Sequence, residues 1–190
     1  MSIVKLSDMV CLLRNGANIK QGKTTTGIPI TRIETIANRT VDRSRMGYAG
    51  IFDPQKYDSY ILQDNDILMS HINSIKHMGK SAIYHKKDDE VIIHGMNLLC
   101  LRPKQSIVNP IYLYQYFQSD YFYDQVLSIT KPAVNQASMT TTDLGALCVI
   151  LPPIKKQNQF ASFVEQTDKS KFAVHLTGSN LNLSRCLEIP

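Results

Sequence analysis

The stretch Val134-Asn135-Gln136-Ala137-Ser138 through Leu151-Pro152-Pro153-Ile154-Lys155-Lys156-Gln157 decides how this chain is read. It opens on small polar residues, as a loop does. Leu144-Gly145-Ala146-Leu147-Cys148-Val149-Ile150-Leu151 follows, an apolar run short enough to be a buried strand. Pro152-Pro153 ends it, because proline fixes φ and has no N–H to give to a ladder. Proline is welcome in a helix's first turn, and a helix-compatible segment begins at once.

C-terminal to this corner, Phe160, Phe163, Val164, Thr167, Phe172 and Val174 form an apolar stripe, interrupted by Asp168 and Lys171. A helix from 154 to 176 would run ~35 Å at about 1.5 Å per residue. That is too long and too narrow-striped to lie wholly on its own domain, so it is expected to seek a partner helix. Thr177-Gly178-Ser179-Asn180 is expected to break it. The chain therefore divides into residues 1–153 and a spacer or dimerisation helix with a broken tail, 154–190.

N-terminal to the corner, many short strands are expected. Residues 3–13 are an apolar strand or single helical turn. Gly27-Ile28-Pro29-Ile30-Thr31-Arg32-Ile33 alternates as a half-buried strand does. Tyr60 to Ser70 reads as two strands around Asp64-Asn65-Asp66; Lys80–Tyr84, Val91–Ile93 and Asn97–Arg102 follow as further strands. At Asn109-Pro110 the period changes, and one or two helices run to about Ser128. Their Tyr112, Tyr114, Tyr116, Phe117, Tyr121, Phe122 and Tyr123 read as packing residues. Lys131–Thr142 reads as a loop. The expected fold class is α+β: a β-rich domain with short helices, then a long C-terminal helix.

The composition is that of an ordinary globular protein, with 43% apolar and 19% charged residues in 190. No apolar run reaches the roughly 20 residues of a membrane span. The N-terminus lacks the regions of a signal peptide, so the cytoplasm is the expected location. Cys11, Cys100 and Cys148 sit in apolar surroundings and are expected to be buried free thiols; with Cys186 they form no zinc knuckle. The net charge is +5, and it is unevenly spread. Residues 14–46 carry seven Lys or Arg against Glu34 and Asp42, and residues 71–87 carry four lysines, three histidines and no acid. Two basic blocks of this kind suggest loops sharing a polarity, although solvated loops would give the same composition.

The order of motifs resembles the target recognition domain of the specificity (S) subunit of type I restriction-modification enzymes. In that family an N-Q-x-S/T loop leads to an L-x-x-L-x-I-x-L-P-P-L-x-E-Q strand and a conserved helix. This chain has Asn135-Gln136, then Leu144, Leu147, Val149 and Leu151-Pro152-Pro153-Ile154, with Lys156-Gln157 in place of Glu-Gln. Leu6-Ser7-Asp8-Met9 with Gly16 and Gly22-Lys23 is similar to the family's opening, and Ile28-Pro29-Ile30-Thr31-Arg32 to its next strand. Leu62 to Ser70 fits L-x-x-G-D-I-L-x-S with Asn65 at the turn glycine, a residue that also tolerates positive φ. Gly79-Lys80 and Asn109-Pro110-Ile111-Tyr112-Leu113-Tyr114 complete the series, which covers nearly the whole chain. A full S subunit has two such halves, and this chain holds one. The resemblance implies sequence-specific recognition of double-stranded DNA, no catalysis by this chain, and recruitment of methyltransferase subunits and through them restriction subunits. It leaves open a half-subunit that homodimerises through its helix, or a truncated interaction module without DNA affinity of its own.

Enzymatic signatures fail on spacing. Gly79-Lys80-Ser81 resembles a phosphate loop, but Ser74 stands where its first glycine belongs. Asn109-Pro110-Ile111-Tyr112 lacks the second proline of an adenine methyltransferase motif. No acid lies two residues before a lysine, as a metal-dependent nuclease would have it. The five histidines make no metal spacing, and no cofactor, metal or catalytic residue is expected.

Reading bases needs Arg or Lys for guanine and Asn or Gln for adenine, and phosphates take Lys, Arg, Ser, Thr or N–H groups. Four loops supply such groups. They are Lys20 and Lys23 with Asn18, Thr24 and Thr25; Arg39, Arg43 and Arg45 with Ser44; His71, Asn73, Lys76 and His77 with Ser74; and Lys131, Asn135, Gln136 and Ser138.

Overall fold

The computed structural model describes residues 2–22, 24–134 and 136–185, with side chains as far as Ser170. The chain's first residues and the strand before Pro152 pair with each other. β1 (Ser2–Lys5) lies antiparallel to β9 (Cys148–Leu151), with Ser2 opposite Leu151 and Lys5 opposite Cys148. α1 (Leu6–Met9) is a single turn that buries Leu6 and Met9, and β2 (Val10–Asn15) leaves it through a bulge between Val10 and Leu12.

The centre is an antiparallel sheet in the order β2-β6-β3-β5, built from β3 (Ile67–Ser70), β5 (Ser81–Ile83) and β6 (Leu98–Pro103) beside β2. Side chains alternate across a strand, and here both faces are covered. Ile67, Met69, Leu99 and Leu101 pack with Leu113, Phe117, Phe122, Val126 and Leu144 on one face. Leu68, Leu98 and Cys100 face Ile36, Met46, Tyr84 and Ile92 on the other. That is why β3 and most of β6 read as unbroken apolar runs.

α2 (Pro110–Phe117) and α3 (Asp120–Ile129) close the first face. Asn109 caps α2 by accepting from the N–H groups of Ile111 and Tyr112, and Pro110 occupies the first turn, where no N–H is missed. Ser119 caps α3. The rings of Phe117 and Phe122 meet at 4.5 Å, so the aromatic run is mainly packing, with Tyr121 left exposed.

Several expectations are corrected. The apolar run at 144–151 is divided: α4 (Thr141–Ala146), capped by Thr140, takes Leu144, and only Cys148–Leu151 are strand. Residues 131–142 are not all loop, since β7 (Lys131–Pro132) and β8 (Ala137–Ser138) join β4 (Ile72–Asn73) in a second small sheet. The alternating segment around Ile30 makes only isolated bridges, to Gly47 and Ile93, before a 3-10 turn at Ile33–Ile36. Pro29 supplies no donor for a continuous ladder. Cys11 and Cys148 are exposed, because each lies outward on its strand; Cys100 is buried, and burial raises its thiol pKa. Cys186 lies outside the described residues.

α5 (Ile154–Arg185) follows the two prolines and does not stop at Thr177. Gly178 costs a helix only about 1 kcal/mol, and there is no proline between Pro153 and Arg185 to force an end. The helix is fastened at its first turn by Gln157, which is 1% exposed. Its side-chain N–H group donates to the carbonyls of Pro152 at 2.7 Å and Ile107 at 3.2 Å, and its oxygen accepts from the Asn109 N–H at 2.9 Å. Asn158 adds a bond to the Asn109 side chain, and Ala161 is buried.

Candidate nucleic-acid interface

The 3-10 turn at Ile33–Ile36 organises the basic loops. Arg32 stands at its start, and Asn38 and Arg39 leave its end. Beside its start is a cleft of about 480 Å³ lined by Asn18, Lys20, Gln21, Arg32, Glu34 and Asn97, among others. Asn18, Lys20, Arg32 and Asn97 are exposed there. The Gln21 amide nitrogen donates to the Thr31 carbonyl at 3.4 Å, while its oxygen is buried with no hydrogen-bond partner among the described residues. Amides and cations in one cleft are the side chains that bond base edges.

At the other end of the turn, Arg39, Lys76 and Lys80 converge on a cavity of about 280 Å³ against the start of α3. Three local features bring them there. Arg39 adopts φ 59°, which turns the chain back after the 3-10 turn. Its carbonyl accepts from the Tyr114 hydroxyl at 2.9 Å, and its guanidinium donates to the Gln118 side-chain oxygen. Gly79 adopts φ 68° and packs so closely on Val126 that an added Cβ would stand 3.2 Å from its methyl groups. The Lys80 ammonium donates to the Ala37 carbonyl at 3.1 Å, which joins the two basic loops directly. Burial lowers the pKa of Lys80, and the charges of Arg39 and Lys76 lower it further. Burial, Lys80 and Lys76 lower that of His77 in the same way.

The second small sheet runs on from this cavity. A 3-10 turn at Ile75–His77 carries Lys76 and His77 and connects to β4, which pairs with β8, and β8 with β7. Asn73, Ser138 and Lys131 thus share one sheet, and Gln136 is exposed beside β8. Asn73 is held locally: its amide donates to the Ser70 hydroxyl and its oxygen accepts from the Ser74 N–H. The Lys131 ammonium lies 3.8 Å from Asp143.

Not every expected residue joins this surface. Arg43 is turned to Glu90, donating to both its oxygens, and also donates to the His85 carbonyl at 2.8 Å. Arg45 pairs with Asp42 at 3.1 Å. His71 is 5% exposed, and burial lowers its pKa, so its ring is not presented to a ligand. Lys23 and Asn135 lie outside the described residues. Lys80, Arg32, Asn97 and Gln118 were not singled out from the sequence. Of these, Lys80 and Arg32 carried a signal, Lys80 by its place in the acid-free block 71–87 and Arg32 by its place in the basic block 14–46. On α5, Phe163 is 66% exposed, Val164 and Thr167 are half-buried, and Phe160 lies edge-on against Tyr112 at 6.0 Å. The side chains of Phe172 and Val174 lie outside the described residues. Among the described residues, no group of three or more His, Cys, Asp or Glu could hold a metal ion, and no helix is long and apolar enough to cross a membrane.

The family described as type I restriction modification DNA specificity domain matches residues 1–181. The chain belongs to this family. A Methanocaldococcus jannaschii protein assigned as the type I restriction enzyme MjaX specificity subunit is 41% identical over 167 residues, which are 86% of this chain and 38% of that protein. The EcoKI specificity subunit of Escherichia coli is 25% identical over 155 residues, 81% of this chain and 33% of the relative. The fold is shared with the HsdS subunit from Thermoanaerobacter tengcongensis, at a TM-score of 0.60 and 17% identity over 93% of this chain and 39% of that one. A chain of a type I restriction-modification complex gives 0.65 at 17% identity, over 97% and 43%. The chain thus spans a third to about two fifths of the length of these similar chains. The α+β architecture of the family is the one expected from the motif order.

Proposed function

We propose that residues 1–153 recognise a double-stranded DNA sequence and that residues 154–190 serve as a spacer on which methyltransferase subunits, and through them restriction subunits, are positioned. The carrying observation is the run of basic and amide side chains along one 3-10 turn and the adjoining small sheet, in a chain of the specificity domain family. Phosphate contacts set the register of the duplex, and amides and cations read base edges. The chain does no chemistry of its own and takes no cofactor. The MjaX and EcoKI relatives, named as specificity subunits of restriction enzymes, support this division of labour.

The test is selection from a random duplex pool by the full chain together with its modification subunit, at ~0.1 M salt, where non-specific binding is held down. Enrichment of one sequence is expected. Binding without preference overturns the proposal, and cleavage of duplex by the chain alone with magnesium would make it a nuclease.

A second reading is favoured by the exposed Phe163 on α5: a module that acts by pairing with a second copy, with no useful DNA affinity alone. In sedimentation, Phe163→Glu is expected to shift the assembly toward monomer. If it does so and selected-site binding persists, recognition and pairing are separate functions of one chain.

A further inference from the structure

We propose that the cavity between Arg39, Lys76, Lys80 and the start of α3 seats one phosphodiester group of the DNA backbone. This rests on the DNA-recognition reading and specifies one contact within it. Three cationic side chains line one cavity of about 280 Å³, and Asp120 is the one carboxylate lining it among the described residues. Burial lowers the Lys80 pKa first, and the charges of Arg39 and Lys76 lower it further, since like charges brought together disfavour one another's charged forms. An anion seated among them would offset the repulsion. A base edge, being neutral, would not.

The donors fit the same ligand. Lys80 spends one N–H on the Ala37 carbonyl and keeps two. Arg39 bonds Gln118 through one guanidinium nitrogen. Lys76 is exposed, with no hydrogen bond or ion pair among the described residues. The positive end of the ten-residue α3 adds to the field, while the Ser119 hydroxyl is already used as its cap. A cavity of this size falls just below the ~300–1,000 Å³ usual for small organic ligands, which suits a tetrahedral group better than a nucleoside. The neighbouring β4 and β8 carry Asn73 and Ser138, so a phosphate held here would fix the duplex beside residues able to read it.

The experiment measures affinity of the full chain for its selected duplex as a function of salt, for wild type, Lys76→Gln, Lys80→Gln and, as a distant control, Lys5→Gln. Each pocket variant is expected to bind ~3–10-fold more weakly with sequence preference intact. The slope of log affinity against log salt should shrink by about one. Lys5→Gln should leave both unchanged. Lys76 is exposed, so its variant tests the pocket even if Lys80→Gln fails to fold. A single neutral methylphosphonate, scanned along the duplex, should weaken wild type at one position and have no further effect there on Lys76→Gln. Specific binding by wild type with both pocket variants unaltered overturns the phosphate site and leaves recognition standing. Loss of sequence preference in wild type overturns both. If inorganic phosphate raises the melting temperature of wild type but not of Lys76→Gln, while the salt slopes agree, the cavity takes free phosphate and the DNA assignment falls.

Discussion

Arg39 and Arg43 are four residues apart in sequence, Arg39 just past the Ile33–Ile36 turn and Arg43 at the start of the next 3-10 turn, Arg43–Arg45, yet they stand in opposite electrostatic settings. Arg43 is matched. Glu90 accepts from its guanidinium, from the Tyr84 hydroxyl at 3.0 Å and from the Lys87 N–H at 2.8 Å. Arg39 is gathered with Lys76 and Lys80 around a cavity where Asp120 is the one carboxylate among the described residues. The difference separates two uses of a basic residue. A cation with a dedicated carboxylate braces the fold, and a cation set among other cations waits for a ligand. Arg102 belongs with the first kind, since its two 2.8 Å bonds to the fully buried Asp66 clamp the turn that Asn65 makes at φ 69°.

The largest effect should come from unmatching the braced pair. Arg43→Ala strands a partly buried carboxylate and is expected to lower unfolding free energy by about 2–3 kcal/mol in urea titrations. It should leave the salt dependence of DNA binding as it was. A salt slope smaller by one with stability intact would place Arg43 among the DNA contacts and break the comparison.

A second test uses pH. The Arg43 guanidinium, followed by the Lys87 N–H and Tyr84 hydroxyl, holds Glu90 down to about 2 against a burial effect in the other direction. A carboxylate with a depressed folded pKa gives stability that is full above the unfolded value of about 4.5 and is lost as pH falls through 2. Unfolding free energy should therefore fall by ~2 kcal/mol more between pH 6 and pH 2 in wild type than in Glu90→Gln. Parallel curves would mean that the pair contributes little.

The smallest effect comes from giving the unmatched cluster a carboxylate. Gln118→Glu puts an anion where Arg39 now bonds a neutral amide. Stability should change by less than ~1 kcal/mol, as for an exposed pair. DNA affinity should fall several-fold, because the added charge competes with phosphate. Unchanged affinity would argue that Arg39 lies away from the duplex.

The sequence allowed part of this to be read in advance. The motif order gave the α+β class, the helix start at Asn109-Pro110, the Asn65 turn and the helix after Pro153, because each rests on residues adjacent in the chain. Leu144 reads as strand because an apolar run does not distinguish a buried strand from a capped helical turn, and Thr140 decides for the turn. The basic loops could be named but not sorted. Nothing local distinguishes Arg43 from Arg39, since Glu90 lies 47 residues from the one and Gln118 lies 79 from the other. His71 sits in a polar run, but the pairing of β4 with β8 encloses it. Gln157 is legible in the sequence as the glutamine of the motif that follows the two prolines, but its role is not. Its three bonds to Pro152, Ile107 and Asn109 appear only once α2 and α5 meet.

The antiparallel pairing of Ser2–Lys5 with Cys148–Leu151 brings the two ends of the segment between them together along one seam. Such a unit is a cassette. Under the proposed function, an interior with different loops joined to these same two short strands is expected to read a different sequence. Recombination at this seam would alter which sequence is read while the helix anchored by Gln157 keeps its place.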